Sequence, residues 1–423
     1  MTCSGPRQIN TLSTVRILHV STRLILGGSQ ENTVLSCEGQ SRLGHEVHLA
    51  YGPIFGPEGS MLERVTAFRS DTGGTIAPHE VPDLCRELSP IRDRRAKVQL
   101  RQLIERLKPD IVHTHSSKAG IVGRAAAWES PFRRSPGMGI VHTIHGPPFM
   151  PIEGSLARRL KVRGTNKVYE WAERYAARRC HLIISVADAM TQQFLARGIG
   201  RPEQFKTVYS GMEVDRYLQA ASPGESREAQ RASLGLGETD FVIGTVSRLA
   251  EHKGHDDLLS ALGDDLKSHP NWKLLWVGDG WWRDRLLARA RALGLADQLL
   301  TTGLVPSDRV PGLMRAMDIL IHPSSREGLP RTVPQALLAR VCPVAYDVDG
   351  TREACIEGET GRLVPLGDLA LLREAVRSLY DAPDARHRLA QQGRELCRRR
   401  FSAGVMVAEL ERVYAQALSL ARR

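Results

Sequence analysis

Arg248 and Lys253 lie five positions apart, directly after the apolar run Phe241-Val242-Ile243-Gly244-Thr245-Val246-Ser247. Two cations on a loop between a strand and a helix can both reach one diphosphate, Arg as a planar fork and Lys as a point charge. A pair of solvated surface charges is the ordinary alternative. Farther along, Ser324-Ser325-Arg326-Glu327-Gly328-Leu329-Pro330 places an acid, a glycine and a proline between the strand-length run 318–322 and a helix beginning near Arg331. Backbone N–H groups and a helix N-terminus then converge beside one carboxylate, an arrangement that holds an anion and reads hydroxyl groups. As a bare helix N-terminal charge, Glu327 would contribute only about 0.3–1 kcal/mol.

Such loops need strands on one side and helices on the other, and the chain alternates the two. Strand-like runs cover 15–21, 46–51, 109–115, 139–146 and 181–185, then 241–247, 273–280, 299–306, 318–322 and 341–346. Helical patterns follow Gly27-Gly28 to about Leu43, span Arg95 to Leu107 and Ala187 to Arg197, and finish the chain; 52–94 is less regular. Alternation predicts parallel, doubly wound sheets that bind ligands at the carboxyl ends of their strands. His113-Thr114-His115 stands at such an end, and Gly27-Gly28 follows the first strand, where paired glycines let a ligand approach the backbone. The Ser-, Glu-, Arg- and Gly-rich stretch up to Thr239 is the linker candidate.

A chain of 423 residues suits two domains of roughly 200 residues each. With 42% hydrophobic and 25% charged residues it has the composition of a soluble globular protein, which excludes disorder for most of its length. Lys and Arg number 58 against 47 acids, a net charge of +11 that favours anionic partners. Charge alone supports no nucleic-acid role. The seven cysteines are scattered and never in a CxxC pair, which favours a reducing compartment over a disulfide framework. Met1–Thr14 lacks a signal peptide's apolar centre, and no run approaches the roughly 18–20 apolar residues of a membrane span.

Glu327-Gly328-Leu329-Pro330 followed by Gln335-Ala336-Leu337-Leu338 resembles the signature of family 4 retaining glycosyltransferases. Ser247-Arg248-Leu249 with Lys253-Gly254 resembles the same family, as does Ser210-Gly211-Met212-Glu213-Val214-Asp215 where the halves meet, with Ser210 where asparagine is usual and Met212 where isoleucine is. The resemblance implies the α/β GT-B fold: two Rossmann-like domains facing across a cleft, here 1–205 on the acceptor side and 206–402 for the nucleotide-sugar donor, with a helix over 403–423 packing back on the first. It implies transfer of a sugar from a UDP- or GDP-sugar to a lipid-linked or cell-envelope glycan acceptor, with retention, no metal and no other cofactor. Arg248 and Lys253 would neutralise the donor's pyrophosphate, and Glu327 would grip sugar hydroxyls. Gly28, Ser247, Gly328 and Leu329 would line the donor, the loop of Val305 the nucleobase. His145, ending its strand as His-Gly, resembles the family's cleft histidine beside the transferred sugar. Gln335 stands where the family has a second acid holding the ribose. The amide still accepts a hydrogen bond but loses charge assistance, worth about 1 kcal/mol. No Asp-x-Asp metal motif is read in a donor loop. A non-catalytic nucleotide-sugar binder is the alternative within the fold. A dinucleotide oxidoreductase is disfavoured because the first loop lacks GxGxxG.

Two further features stand outside the motif. His113, His115 and His145 invite a zinc reading, but no carboxylate or cysteine joins them at metal spacing, and strand-end histidines ordinarily hydrogen-bond. From 155 to 180, Arg158, Arg159, Lys161, Arg163, Lys167, Arg174, Arg178 and Arg179 face only Glu170 and Glu173, while Val168, Trp171 and Tyr175 recur at helical spacing. That pattern suits a helix lying on anionic lipid, hence a cytoplasmic protein with peripheral attachment to the inner membrane face. An inward-turned aromatic stripe with a solvated charged face is the competing reading.

Overall fold

The computed structural model describes residues 13–54, 59–87, 89–133, 137–149 and 155–423; most of the polar Met1–Thr14 stretch lies outside them. The chain divides into two compact units, 1–211 with 403–423, and 212–402. Each is built on one parallel sheet. The first contains β1 (Arg16–Ser21), β2 (Glu46–Tyr51), β3 (Ile76–Glu80), β4 (Ile111–His115), β5 (Gly139–Ile144), β6 (Leu182–Ser185) and β7 (Phe205–Thr207), in the order β3-β2-β1-β4-β5-β6-β7. The second contains β8 (Phe241–Val246), β9 (Trp272–Val277), β10 (Leu299–Gly303), β11 (Ile319–His322), β12 (Cys342–Tyr346) and β13 (Arg362–Val364), in the order β10-β9-β8-β11-β12-β13. Strand order reverses between β1 and β4, and again between β8 and β11. Those are the switch points where a doubly wound sheet opens its ligand crevice.

The central strands are buried, because helices cover both faces of each sheet, and they are rich in apolar residues, with the histidines of β1, β4 and β5 among the buried polar exceptions in the first sheet. In the second unit, Ile243, Leu274, Trp276, Ile319 and Val344 join the helix residues Leu258, Leu262 and Val376 in one buried cluster. The last helix, Ala403–Ala421, belongs to the first unit and packs on β5 and on the helix Gly28–Arg42. It buries Met406, Leu410, Tyr414 and Leu418. A Cβ added to Gly39 would lie 2.4 Å from Val407 Cγ2, so that helix pair closes on a position without a side chain.

Several expectations need correction. β3 is missing from the sequence reading because Ile76-Ala77-Pro78-His79-Glu80 carries a proline and two polar residues; at a sheet edge, proline removes no needed ladder bond. The helix expected from Arg95 begins at Pro90, a residue well suited to a first turn. The unit boundary falls after Gly211 rather than at 205/206, since Phe205–Thr207 pairs with β6 in the first sheet. The stretch up to Thr239 is no loose linker. It folds into helices Val214–Leu218 and Arg227–Ser233, and Arg227 and Arg231 both bond Asp318, which precedes β11.

Candidate active site

β8 and β11 are neighbours in the second sheet, so the loops leaving their carboxyl ends lie side by side. One carries Arg248 and Lys253, the other Glu327. The loops are stitched together: Ser325 N–H and Ser324 Oγ both donate to the carbonyl of His252, at 2.9 and 3.0 Å. Gly254 makes the approach possible. It sits at φ +72°, and a Cβ there would lie 1.8 Å from the Pro323 carbonyl oxygen, so only glycine fits.

The result is a compact charged cluster. Lys253 Nζ donates to Glu327 Oε1 at 2.5 Å, and His322 Nε2 lies 3.0 Å from the same oxygen. His322 Nδ1 is in turn 3.2 Å from Thr332 Oγ1. Burial pushes the Glu327 carboxyl up, but the Lys253 charge and the His322 hydrogen bond overcome it and hold the group well below the usual carboxylate range. His252 registers the whole cluster: burial lowers its pKa first, then Lys253, while Glu327 opposes and Arg326 and Arg248 add to the lowering. Arg248 itself is exposed, with its guanidinium 5.6 Å from the centre of the Trp281 ring.

The turn around Glu327 differs from expectation in two ways. Its helix, Thr332–Leu338, is seven residues long and supplies little dipole, and the Glu327 N–H is already taken by Asp349 Oδ2 at 2.6 Å. Gly350 N–H also donates to the Gly328 carbonyl, so the 347–351 loop braces the turn from behind. Among the described residues, the N–H groups of the buried Gly328 and Leu329 donate to no backbone carbonyl. Gln335 is buried in the short helix, and Val305 is half-buried on the loop after β10. Ser247 extends the sheet by donating to the Val277 carbonyl, and its own carbonyl would lie 2.1 Å from a Cβ on Gly278. Two residues of the cluster, His322 and Asp349, escape the linear reading. The signal for His322 was its place at the end of β11. Asp349 had another: Asp347-Val348-Asp349 has the Asp-x-Asp spacing. In the fold, however, Asp347 pairs with Arg352 and Asp349 braces Glu327.

Gly28 and His145 belong to the first unit. Gly28 opens its helix, and His145 follows β5. Behind His145 runs a buried line of rings. His115 Nδ1 lies 3.1 Å from His145 Nε2, His19 Nδ1 lies 2.9 Å from His115 Nε2, and His19 Nε2 lies 2.7 Å from Gln40 Oε1. Gln40 Nε2 donates to Tyr414 Oη at 3.0 Å, and His113 joins Tyr414 and Thr143, each at 2.7 Å. His19, His113 and His115 place a nitrogen each within 4.8 Å of one another, yet all six of their ring nitrogens are engaged in these bonds. Burial lowers all three pKa values, that of His19 to about 4, so the rings are neutral and each has one N–H. With Gln40 oriented to donate to Tyr414, its oxygen takes the His19 Nε2 proton. The assigned tautomers then pass down the line and leave the proton of His145 on Nε2.

The helix Leu156–Ala177 settles its own orientation. Val162, Asn166, Glu173, Ala176 and Ala177 face inward. Trp171 is 68% exposed, and Leu156, Leu160 and Val168 are exposed with it. Tyr175 is half-buried, its ring stacked 6.0 Å from that of Trp171, with the Arg179 guanidinium 3.5 Å over it. Among the described residues, no helix is long and apolar enough to cross a membrane.

Residues 26–216 match the family model described as Glycosyltransferase Family 4, and 226–396 match Glycosyl transferases group 1. The chain is 26% identical to the UDP-Gal:alpha-D-GlcNAc-diphosphoundecaprenol alpha-1,3-galactosyltransferase of Escherichia coli, over 85% of this chain and 86% of that protein. It is 27% identical to the putative glycosyltransferase EpsD of Bacillus subtilis, over 75% of this chain and 79% of the relative. Among solved structures, Anabaena HepE in complex with UDP and glucose superposes with a TM-score of 0.76 at 20% identity, covering 95% of this chain and 99% of HepE.

Proposed function

Because the chain belongs to glycosyltransferase family 4 and has its two-sheet GT-B fold, we propose that this hexosyltransferase takes sugar from a UDP-sugar, with a GDP-sugar as the competing donor, and transfers it to a lipid-linked or envelope glycan with retention. The observation that carries the mechanism is the Lys253–Glu327 pair at the carboxyl ends of β8 and β11. In the unliganded chain the ammonium has the Glu327 carboxylate for a partner. A donor diphosphate would recruit Lys253 together with Arg248, while Glu327 turns its acceptor oxygens to sugar hydroxyls. The bond from the anomeric carbon to the diphosphate oxygen breaks, and the acceptor oxygen bonds that carbon on the same face. The acceptor's proton passes to the departing phosphate oxygen. Two cations and the Gly328 and Leu329 N–H groups stabilise the charge that develops, which is the support for a metal-independent reaction. UDP is favoured as the leaving group because HepE was solved with UDP, and a lipid diphosphate acceptor because the Escherichia coli relative uses one.

The experiment is a panel of nucleotide sugars scored by thermal stabilisation and by release of nucleoside diphosphate. One donor should raise the Tm and be consumed; a panel that stabilises without turnover in the presence of glycolipid acceptors would overturn the reading. In the same assay, Gln335→Glu is expected to lower the donor KM by up to about tenfold with kcat little changed, through regained charge assistance to the ribose. A wild type without activity that this substitution switched on would mean that the natural chain is not an active transferase.

Peripheral attachment of a cytoplasmic protein is the reading of the Leu156–Ala177 helix. Leu156, Leu160, Val168 and Trp171 point to solvent, flanked by the exposed Arg158, Arg159, Lys161, Arg163 and Lys167. Each cation near an anionic surface contributes about 1 kcal/mol, so changing Arg158, Arg159 and Lys161 to alanine should weaken sedimentation with anionic vesicles about a hundredfold at low salt. Unchanged sedimentation would remove the membrane assignment.

A further inference from the structure

At the opposite end of the second sheet, where Asp318 and Val341 precede β11 and β12, lies a cavity of about 660 Å³. Its charge is one-sided. Arg227, Arg315, Arg340, Arg386 and Arg394 line it against a single lining carboxylate, Asp318, while Glu225, outside the lining, stands 3.4 Å from Arg315. That carboxylate is already shared: Arg227 bonds it at 2.7 Å, Arg231 at 3.4 Å, and Arg386 stands at 3.8 Å. Four of the lining arginines are held in place by the chain. Arg227 donates to the carbonyls of Arg315 and Met317, Arg315 to that of Arg216, Arg386 to that of Leu379 and Arg394 to that of Leu218.

Arg340 is different. It follows the short helix Thr332–Leu338 at φ +62°, the left-handed region where a helix ordinarily ends on glycine. Among the described residues its guanidinium makes no hydrogen bond and no ion pair. Arg340, exposed at the rim, adds a fifth guanidinium to the four fixed ones; Arg394 registers its charge, its pKa lowered first by burial and next by Arg340. Guanidinium forks match phosphate oxygens in pairs, and the cavity is larger than one phosphate needs.

We propose that this cavity binds a compact molecule carrying two or more phosphate groups, at a site separate from the donor cluster at the other end of the sheet. Arg340 closes the cluster of charges around it. The site lies one short helix away from the Glu327 turn, since Thr332–Leu338 joins the two.

The test is calorimetric titration of the full chain with inorganic pyrophosphate at constant ionic strength. Two saturable sites are expected, one at the donor cluster that is lost in Lys253→Ala and one at this cavity that is weakened about tenfold or more by Arg340→Gly and by Arg394→Ala. Arg388→Ala, on the same helix as Arg394 but off the cavity, and Lys253→Ala, at the donor cluster, should leave binding at the cavity within about twofold. Arg340→Gly should also raise the Tm of the unliganded chain by relieving strain, which separates lost binding from lost folding. Vesicles of phosphatidic acid that displace pyrophosphate only when Arg340 is present would assign the site to a lipid headgroup; absence of displacement would assign it to a soluble polyphosphate. No saturable binding up to about 10 mM in the Lys253→Ala chain, or equal weakening by Arg388→Ala, would overturn the site.

Discussion

Replacing Lys253 by alanine is expected to lower kcat/KM for sugar transfer by about 10²–10³-fold, the loss that follows removal of one preorganised charge from a developing anion. A second consequence distinguishes this from general damage. Lys253 is the main attraction that holds the Glu327 carboxyl below its usual range, against a burial that pushes it up. Without the ammonium, only His322 is left to oppose burial, and the carboxyl pKa rises from its wild-type value. The wild type should therefore keep Glu327 ionised through the mildly acidic range. In the variant, residual activity should climb with pH as the carboxylate is restored. Initial rates across pH, with a urea melt to confirm folding, check both parts. A variant with wild-type kcat/KM would remove Lys253 from the mechanism, and a parallel pH profile would remove its coupling to Glu327.

Glu173→Ala is expected to destabilise the first unit by about 3–5 kcal/mol, because it leaves a buried charge without its counter-ion. Arg124 Nη2 and Glu173 Oε2 are 2.7 Å apart, and each side chain is 1% exposed. Arg124 keeps only its bond from Nε to the Gly120 carbonyl once the carboxylate is gone. The pair joins the helix Ser117–Glu129 to Leu156–Ala177, so it also holds the basic helix with Trp171 outward. Urea unfolding should show the lowered midpoint. The double change Arg124→Met with Glu173→Leu should recover most of the loss, since an apolar pair of similar volume carries no desolvation cost. If Glu173→Ala unfolded at the wild-type midpoint, the pair would be contributing nothing measurable.

Much of the fold is legible in the linear chain because parallel strands buried on both faces are written as continuous apolar runs. Phe241–Val246 and Gly139–Ile144 announce themselves in this way. Ile76–Glu80 does not, since an edge strand needs neither an apolar face on both sides nor every N–H. At the site, the types and order of Arg248, Lys253 and Glu327 can be read, and the family motif marks their roles. The braces cannot: His322 and Asp349 are ordinary residues until the fold brings each against Glu327.

What the sequence determined alone is the class of machine: two doubly wound halves, a pair of cations and an acid in a glycine-proline turn, and a basic helix with an aromatic stripe. These are patterns of period and neighbourhood, and local chemistry is enough to write them. Tertiary structure decided which groups meet. Lys253 and Glu327 are 74 residues apart and touch; His19 and His115 from two strands and His145 from the loop after a third are joined by hydrogen bonds; Trp171 faces out because Glu173, two positions away, faces in. A helix has two sides, and a strand-end histidine has many possible neighbours. Only the packing of distant segments, which the local pattern does not encode, selects one.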